Sequence, residues 1–203
     1  MKNSLKDEID EYFVIIKNIV GNDIIDTNEF YGEKQVVVKT NKIYEVLAKL
    51  HSNSLVPFDQ LIDITAIDYP DNIPRFEVVY ILLSTVSKKR LTVKIRVNEG
   101  DLVKSSTGIF KSANWSEREI WDMFGIFFSG HPDLRRLLTD YGFEGHPLRK
   151  DFPLTGRVQV KYDTEQNRVV YEPVNLIQEY RDFDFLSPWE RPEKDSIDDG
   201  DKN

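Results

Sequence analysis

Glu117, Glu119, His131, His146 and the guanidinium groups of Arg118, Arg135, Arg136 and Arg149 lie in one stretch of chain, and they are the side chains best placed to do chemistry. A carboxylate pair can act as general acid and base. Glu117 and Glu119, however, are two apart on a helix, so they point roughly 200° apart and cannot share one substrate atom. Ser116 followed by Glu119 instead has the spacing of a capping box, with Ser116 as N-cap and Glu119 at the third helical position. His131 and His146 each sit in Gly-His-Pro, with Asp133 and Glu144 nearby, a set from which a zinc site can be drawn. Hydrogen bonding to a partner's backbone, or fixing of the local turn, is the favoured role for both imidazoles. Arg135 and Arg136 can clamp a phosphate or carboxylate. No glycine-rich phosphate loop accompanies them: Gly125 and the Gly142/Gly145 pair do not follow a strand and open a helix. Ion pairs with acids of a partner are therefore favoured, and direct dinucleotide binding is not expected. Ser116 and Ser129 lack the Gly-x-Ser-x-Gly context of a nucleophile elbow. Trp115, Trp121 and Trp189 read as core or interface anchors. No convergent catalytic set emerges, so no active centre is expected on this chain.

Composition narrows the possibilities further. The chain has 203 residues, 40% of them hydrophobic, enough for a packed domain with extensions. It contains no cysteine, which excludes disulfides, thiolate-held iron–sulfur clusters and Cys-type zinc sites. A net charge of −8 disfavours nucleic acid and anionic membrane surfaces. No apolar run approaches the ~20 residues of a membrane span. Asp7, Glu8, Asp10 and Glu11 argue against a secretory or transit peptide, so the chain is expected to stay in the compartment where it is made.

The elements that must position these residues are legible in outline. Leu5, Ile9, Tyr12, Phe13, Ile16, Ile19 and Val20 have helical spacing up to Gly21. A short strand is expected at Val36–Val38, then a helix through Ile43, Val46, Leu47 and Leu50 with Thr40 or Asn41 as cap. Residues 61–69 read as a strand ended by Pro70. Residues 75–84 and 90–97 read as a hairpin, with Leu91, Val93, Ile95 and Val97 on its buried face. The fold class is α+β: a small, mostly antiparallel sheet with helices on one face, followed by an extended, turn-rich C-terminal segment. Short strands around Val158–Tyr162 and Val169–Tyr171 flank an Asp163–Asn167 turn. The expected divisions are an α+β domain over 1–113, a helix and docking segment with a short hairpin over 114–175, and an acidic, Pro-containing tail over 176–203 whose end is disordered.

The stretch after residue 114 differs in kind. Residues 117–157 hold five of the ten glycines, two of the three histidines and five of the eleven arginines. Arg118 and Asp122 stand four apart and can pair on the helix surface. Gly125 sits where a left-handed glycine ends a helix. Beyond it, glycines and prolines alternate with bulky apolar residues, which rules out a long helix or strand. Such a segment runs extended over a surface, and its charges and apolar groups are expected to find partners on a second protein, with the segment mobile until that protein binds.

The run Glu117-Arg118-Glu119, Trp121-Asp122-Met123-Phe124-Gly125, Gly130-His131-Pro132-Asp133-Leu134-Arg135-Arg136, with its continuation Gly145-His146-Pro147-Leu148-Arg149-Lys150-Asp151-Phe152-Pro153, resembles the signature of the 30 kDa subunit family of respiratory complex I. The resemblance implies a peripheral-arm subunit of proton-translocating NADH:quinone oxidoreductase. It implies no cofactor on this chain, with FMN and iron–sulfur clusters on partner subunits. It implies docking on the 49 kDa-type, hydrogenase-large-subunit-like chain that helps form the quinone site, and on neighbouring hydrophilic subunits. The implied location is peripheral, on the cytoplasmic side of the inner membrane or the matrix side in mitochondria. The implied partner interface is Glu117, Arg118, Glu119, Trp121, Asp122, Phe124, Gly125, His131, Pro132, Arg135, Arg136, His146, Pro147, Arg149, Lys150, Asp151 and Phe152. Membrane-bound hydrogenases and deazaflavin-cofactor dehydrogenases contain related subunits and form the alternative reading.

Overall fold

A computed structural model describes residues 12–176 and Gln178. The expected helix over 5–20 is present over 12–20 (α1), and its earlier part lies outside the described residues, as does nearly all of the expected tail. Helix α1 turns Tyr12, Ile16 and Val20 into the core. Strand β1 (Ile24–Phe30) follows, an element the apolar pattern does not announce. Its residues alternate weakly, because most of them are exposed in an edge strand. It pairs antiparallel with β2 (Glu33–Val38) across Tyr31-Gly32, both at positive φ, the geometry of a tight primed hairpin turn.

Helix α2 (Ile43–His51) buries the four expected residues Ile43, Val46, Leu47 and Leu50. Neither Thr40 nor Asn41 caps it. Residues 40–42 form a 3-10 turn, and the Thr40 hydroxyl donates to the Arg96 carbonyl at 2.7 Å. The chain then forms β3 (Gln60–Asp68), β4 (Phe76–Ser84) and β5 (Lys89–Val97). The five-stranded sheet has the order β1-β2-β5-β4-β3, antiparallel except where β2 meets β5. Phe76, Val78, Tyr80 and Leu82 of β4 and Leu91, Val93, Ile95 and Val97 of β5 share one cluster with α1 and α2. Glu77 and Lys94, at alternate positions, pair at 3.0 Å away from that core. The fold is α+β, with the helices gathered on one face as the apolar alternation requires.

Helix α3 (Ala113–Phe124) is flanked by β6 (Leu102–Lys104) and β7 (Phe127–Ser129), which pair parallel and so hold its entry and exit together. The chain has two compact units, Met1–Leu154 and Thr155–Asn203. The Gly/Pro-containing stretch up to Leu154 therefore belongs with the α+β body. The second unit carries the antiparallel hairpin of β8 (Val158–Asp163) and β9 (Arg168–Pro173), formed as the strand pattern requires.

Candidate functional site

Helix α3 begins at Ala113, four residues before the expected start at Glu117. Ser116 and Glu119 lie inside it, so the capping box does not form. Ser112 occupies the N-cap position, but its hydroxyl donates to the Leu61 carbonyl at 3.2 Å and makes no cap. The C-terminus follows the sequence: Gly125 is left-handed, φ 78° and ψ 20°, and its N–H donates to the Trp121 carbonyl. A Cβ at Gly125 would lie 2.5 Å from Arg149 Nη2 and 2.6 Å from His146 Nε2. Glycine is thus required twice here, by the backbone and by the side chains folded against it.

Those side chains belong to residues 130–154, a strap that crosses α3. No residue of the strap is fully buried, and polar bonds tie it down. Asp122, fully buried, is the hub. Its Oδ2 accepts the N–H groups of Leu137, Leu138 and Thr139 at 3.0, 2.8 and 2.9 Å. Its Oδ1 accepts Arg136 Nη1 at 2.8 Å and the Thr139 hydroxyl at 2.5 Å. Three consecutive amides, a guanidinium and a hydroxyl therefore converge on one carboxylate, a nest of the kind that binds anions. The Arg136 guanidinium also donates to the Gly145 carbonyl and lies 5.7 Å from both the Trp121 and Phe143 rings.

The expected Arg118–Asp122 pair is replaced by this arrangement. Arg118 donates instead to the carbonyls of Arg135 and Arg136, each at 3.1 Å. An Arg136 brought in from the strap satisfies Asp122 better, because it arrives together with three backbone donors that a neighbour on the same helix cannot supply. His131 Nε2 donates to the Asn114 carbonyl at 2.9 Å, and its Nδ1 accepts the Asp133 N–H at 3.0 Å. His146 Nδ1 donates to the Asp122 carbonyl at 2.9 Å, Leu148 N–H to that of Met123, and Arg149 Nε to that of Phe124 at 2.6 Å. The strap thus satisfies the last carbonyls of α3, which a helix leaves open. No group of three or more His, Asp or Glu able to hold a metal occurs among the described residues.

A second anchor joins the strap to the sheet. Asp68 at the end of β3 is buried and takes Arg75 in two bonds of 2.7 and 2.8 Å. It also accepts the Lys150 N–H at 2.8 Å, while Arg75 reaches Asp151 at 3.2 Å. Arg149 bonds Glu99 at 2.5 Å, and both Arg75 and Arg149 lie over the Phe76 ring. Phe152 stacks on Phe143 and packs against Gly145. Glu117 points elsewhere. It is fully buried and accepts Ser105 Oγ, Ser106 N–H and Ser106 Oγ at 2.6 to 2.7 Å. This binds α3 to the chain after β6. Glu119, Pro132, Arg135, Lys150 and Asp151 are exposed.

For Arg136, Arg149 and Asp151 the expectation of ion-pair partners on a second protein is corrected. Asp122, Arg136, Arg149, Asp151 and both histidines find partners within the chain, because the glycines and prolines fold the strap back over α3. Asp68, Arg75, Glu99, Ser105, Ser106 and Thr139 join the site without any signal in their local sequence. Asp68 lies 82 residues from Lys150, and nothing local announces such a contact.

His146 should make the strap pH-sensitive. Burial is the largest cause holding its imidazole below the usual value, and the charges of Arg149 and Arg136 add to it against the opposing Asp122 carbonyl bond. A depressed folded value means that stability is complete above the unfolded value of about 6.5 and is lost as pH falls through the folded one. Strap amides of the wild type should exchange faster at pH 5 than at pH 7.5, relative to intrinsic rates. His146→Gln, which can still donate to the Asp122 carbonyl, should abolish that difference. An unchanged pH dependence in the variant would refute the assignment.

The family model described as "Respiratory-chain NADH dehydrogenase, 30 Kd subunit" matches residues 36–158. The C subunit of NADH-quinone oxidoreductase from Paramagnetospirillum magneticum is 51% identical over 193 residues, covering 95% of each chain. The same-named subunit of Dinoroseobacter shibae is 55% identical over 170 residues, 84% of this chain and 79% of its own. Among solved structures, a chain of the membrane-bound sulfane sulfur reductase, an archaeal respiratory membrane complex, superposes with a TM-score of 0.60 at 25% identity, over 71% of this chain and 86% of its own. A match of this extent to the family model, with relatives of this identity along nearly the whole chain, leaves one conclusion: the chain belongs to the 30 kDa subunit family of respiratory-chain NADH dehydrogenase, the C subunits of NADH-quinone oxidoreductase.

Proposed function

We propose that the chain is a cofactor-free peripheral-arm subunit of a proton-translocating NADH:quinone oxidoreductase, and that its strap docks on the 49 kDa-type quinone-site subunit. The observation that carries this reading is the set of large apolar side chains that the strap leaves in water. Its inward ties to α3 are polar, while Leu138, Tyr141, Leu148 and Leu154 stand outward at 62, 82, 51 and 81% exposure. A segment that ties its polar groups to its own helix and leaves four large apolar side chains in water is built to meet another surface. The absence of cysteine supports placing the iron–sulfur clusters on other subunits, and FMN belongs with them. No helix among the described residues is long and apolar enough to cross a membrane. Attachment through the complex, on the cytoplasmic side of the inner membrane or the mitochondrial matrix side, accounts for this.

The second reading is the equivalent subunit of a related membrane-bound complex, a hydrogenase or a deazaflavin-cofactor dehydrogenase. The likeness to the sulfane sulfur reductase chain favours keeping it. Identity of 51% over 95% of an NADH-quinone oxidoreductase chain favours the first. The test is affinity purification of the tagged chain from gently solubilised native membranes. Co-purification of NADH:quinone activity with flavin and iron–sulfur subunits is the expected result. A hydrogenase large subunit retaining its metal-ligand cysteines would select the second reading, and recovery of the chain alone would reject both.

A further inference from the structure

Residues 149–151 anchor the end of the strap to three parts of the body. Arg149 donates to the Phe124 carbonyl at 2.6 Å and bonds Glu99 at 2.5 Å. The Lys150 N–H donates to Asp68 at 2.8 Å, and Arg75 reaches Asp151 at 3.2 Å. Leu148 and Leu154 flank these residues and are exposed. Each anchoring point on the body has a large exposed apolar group close to it in the chain. Tyr69 follows Asp68, and Ile73 stands two residues before Arg75, at 41 and 94% exposure. Leu102 comes three residues after Glu99 and Phe127 three after Phe124, at 63 and 48%. Leu102 and Phe127 are direct partners in the β6–β7 pair, so they stand side by side on one face of it.

These groups sit on fixed backbone. The Tyr69 N–H donates to the Arg75 carbonyl at 2.9 Å and the Asn72 N–H to the Tyr69 carbonyl at 3.0 Å, which closes the β3–β4 turn and holds Ile73 outward. Asp101 accepts the Asn98 N–H at 2.7 Å and so fixes the turn between Glu99 and Leu102. The Ser105 N–H donates to the Ser129 carbonyl at 2.9 Å and ties the ends of β6 and β7 together. Singly exposed apolar residues are ordinary on a protein, but these stand on rigid elements that the strap bonds directly. A surface formed in advance loses little conformational freedom on docking. Its ions are matched as well. Arg75 and Arg149 close on Asp68, Asp151 and Glu99, and both guanidinium groups lie over the Phe76 ring. These ions demand no counter-ion from outside, so the surface fits a largely apolar face.

We infer that Tyr69, Ile73, Leu102 and Phe127 of the body form one docking surface with Leu148 and Leu154 of the strap, and that it takes a largely apolar face of the same partner protein that the strap engages. This deepens the docking reading above and rests on it. The single occupant follows from the bonds. Arg149, Lys150 and Asp151 hold the strap within hydrogen-bond reach of the body, so a protein seated over Leu148 and Leu154 also abuts the elements that carry the other four residues. All six lie in one compact unit, Met1–Leu154, and within residues 36–158 that the family model matches, which places the partner inside the family's complex. The strap then does not grip its partner alone. Its ties to the body set two leucines against a platform that is already rigid.

The chain contains no cysteine, so Ile73→Cys and Leu154→Cys each offer one thiol to a benzophenone maleimide label. After assembly into the complex and illumination, both labels are expected to join the same partner subunit. An Ile73 label joined to another subunit, to a second copy of this chain or to nothing, with the Leu154 label on the partner, would overturn the inference and leave the docking reading standing. No cross-link from either position would overturn the docking reading itself. The double variant Ile73→Asp/Phe127→Asp measures the energetic share. It should keep the wild-type Tm, since both side chains already reach water, and leave the purified complex at least about tenfold faster on dilution. Val86→Asp is the comparison: Val86 is 74% exposed in the β4–β5 turn, beyond the opposite end of β4 from Ile73, and should leave the dissociation rate unchanged. A double variant that dissociates at the wild-type rate, or a Val86 variant that dissociates as fast as the double one, would refute the surface.

Discussion

Asp122→Asn should free residues 136–148 from α3 and leave the five-stranded sheet folded. The substitution keeps the size of the side chain but removes its charge, and it turns one acceptor oxygen into a donor facing the strap's own donors. Arg136, 16% exposed, then lacks its counter-ion, and the new NH2 faces either Arg136 and the Thr139 hydroxyl or the three strap amides, so donors meet a donor in both orientations. Breaking a buried pair of this kind costs about 3–5 kcal/mol. Because no apolar residue of the strap is more than partly buried, little offsets that loss, and the cost appears as local opening and not as global unfolding. Exchange at Leu137, Leu138 and Thr139 should rise roughly 100-fold or more, since each 1.4 kcal/mol is tenfold. Trypsin should cut after Arg136 and Arg149 in the variant under conditions that spare the wild type. The pH behaviour has a definite sign. Burial alone pushes this carboxyl up, but the donors from Thr139, Leu138 and Arg136 outweigh it and hold the group well below the usual carboxylate range. Its contribution is therefore complete above the unfolded value of about 3.9 and is lost only as pH falls through the folded one. Strap exchange in the variant that matches wild type would show that Asp122 does not lock the strap.

Legibility in the sequence follows the range of the forces involved. The helix through Ile43, Val46, Leu47 and Leu50 and the β4–β5 hairpin are readable because apolar periodicity is local and dominates packing. Gly125 is readable because a left-handed stop is a single-residue property. Strand β1 is not, since an exposed edge strand carries little alternation. The true start of α3 is hidden because a capping-box pattern at Ser116 and Glu119 competes with a helix that packing extends back to a buried Ala113. The strap is the more instructive case. Its charges stand out in the sequence, but sequence gives no measure of how a Gly/Pro-containing chain folds back. Asp122 and Arg136 are 14 residues apart, and Asp68 and Lys150 82 apart, with no periodicity linking them. The charged, glycine, histidine and other exposed residues of the family signature thus fall into two groups that spacing alone does not separate. Glu117, Arg118, Asp122, Gly125, His131, Arg136, His146 and Arg149 build the strap and its helix, and Glu119, Pro132, Arg135, Lys150 and Asp151 remain at the surface.

Glu117→Ala should act on the body of the protein and not on the strap. Glu117 faces the chain after β6, where it is the shared acceptor for two serine hydroxyls and the Ser106 amide, all buried. The hydroxyls can rotate toward other acceptors, but the amide cannot. Removing the side chain therefore leaves an orphaned buried N–H and a cavity near the fully buried Tyr80, whose own hydroxyl finds no partner among the described residues. An unsatisfied buried donor costs about 1–3 kcal/mol and the lost packing about 2 kcal/mol more, so a total of about 3–5 kcal/mol is expected. For a chain of this size that is a fall in Tm of about 6–20 °C. Glu117→Gln, which fills the space and retains one acceptor oxygen, should recover about half of it. The decisive comparison is with Asp122→Asn. The two carboxylates share no donor, so their effects should add to within about 0.5 kcal/mol. The strap amides of Glu117→Ala should also keep their wild-type exchange until the whole domain opens. A Tm unchanged in Glu117→Ala would exclude the structural role and reopen the carboxylate for a place in the chemistry of the assembled complex. Strong non-additivity would mean instead that α3 carries strain from the serine side to the strap, so that the docking segment and the sheet body act as one cooperative unit.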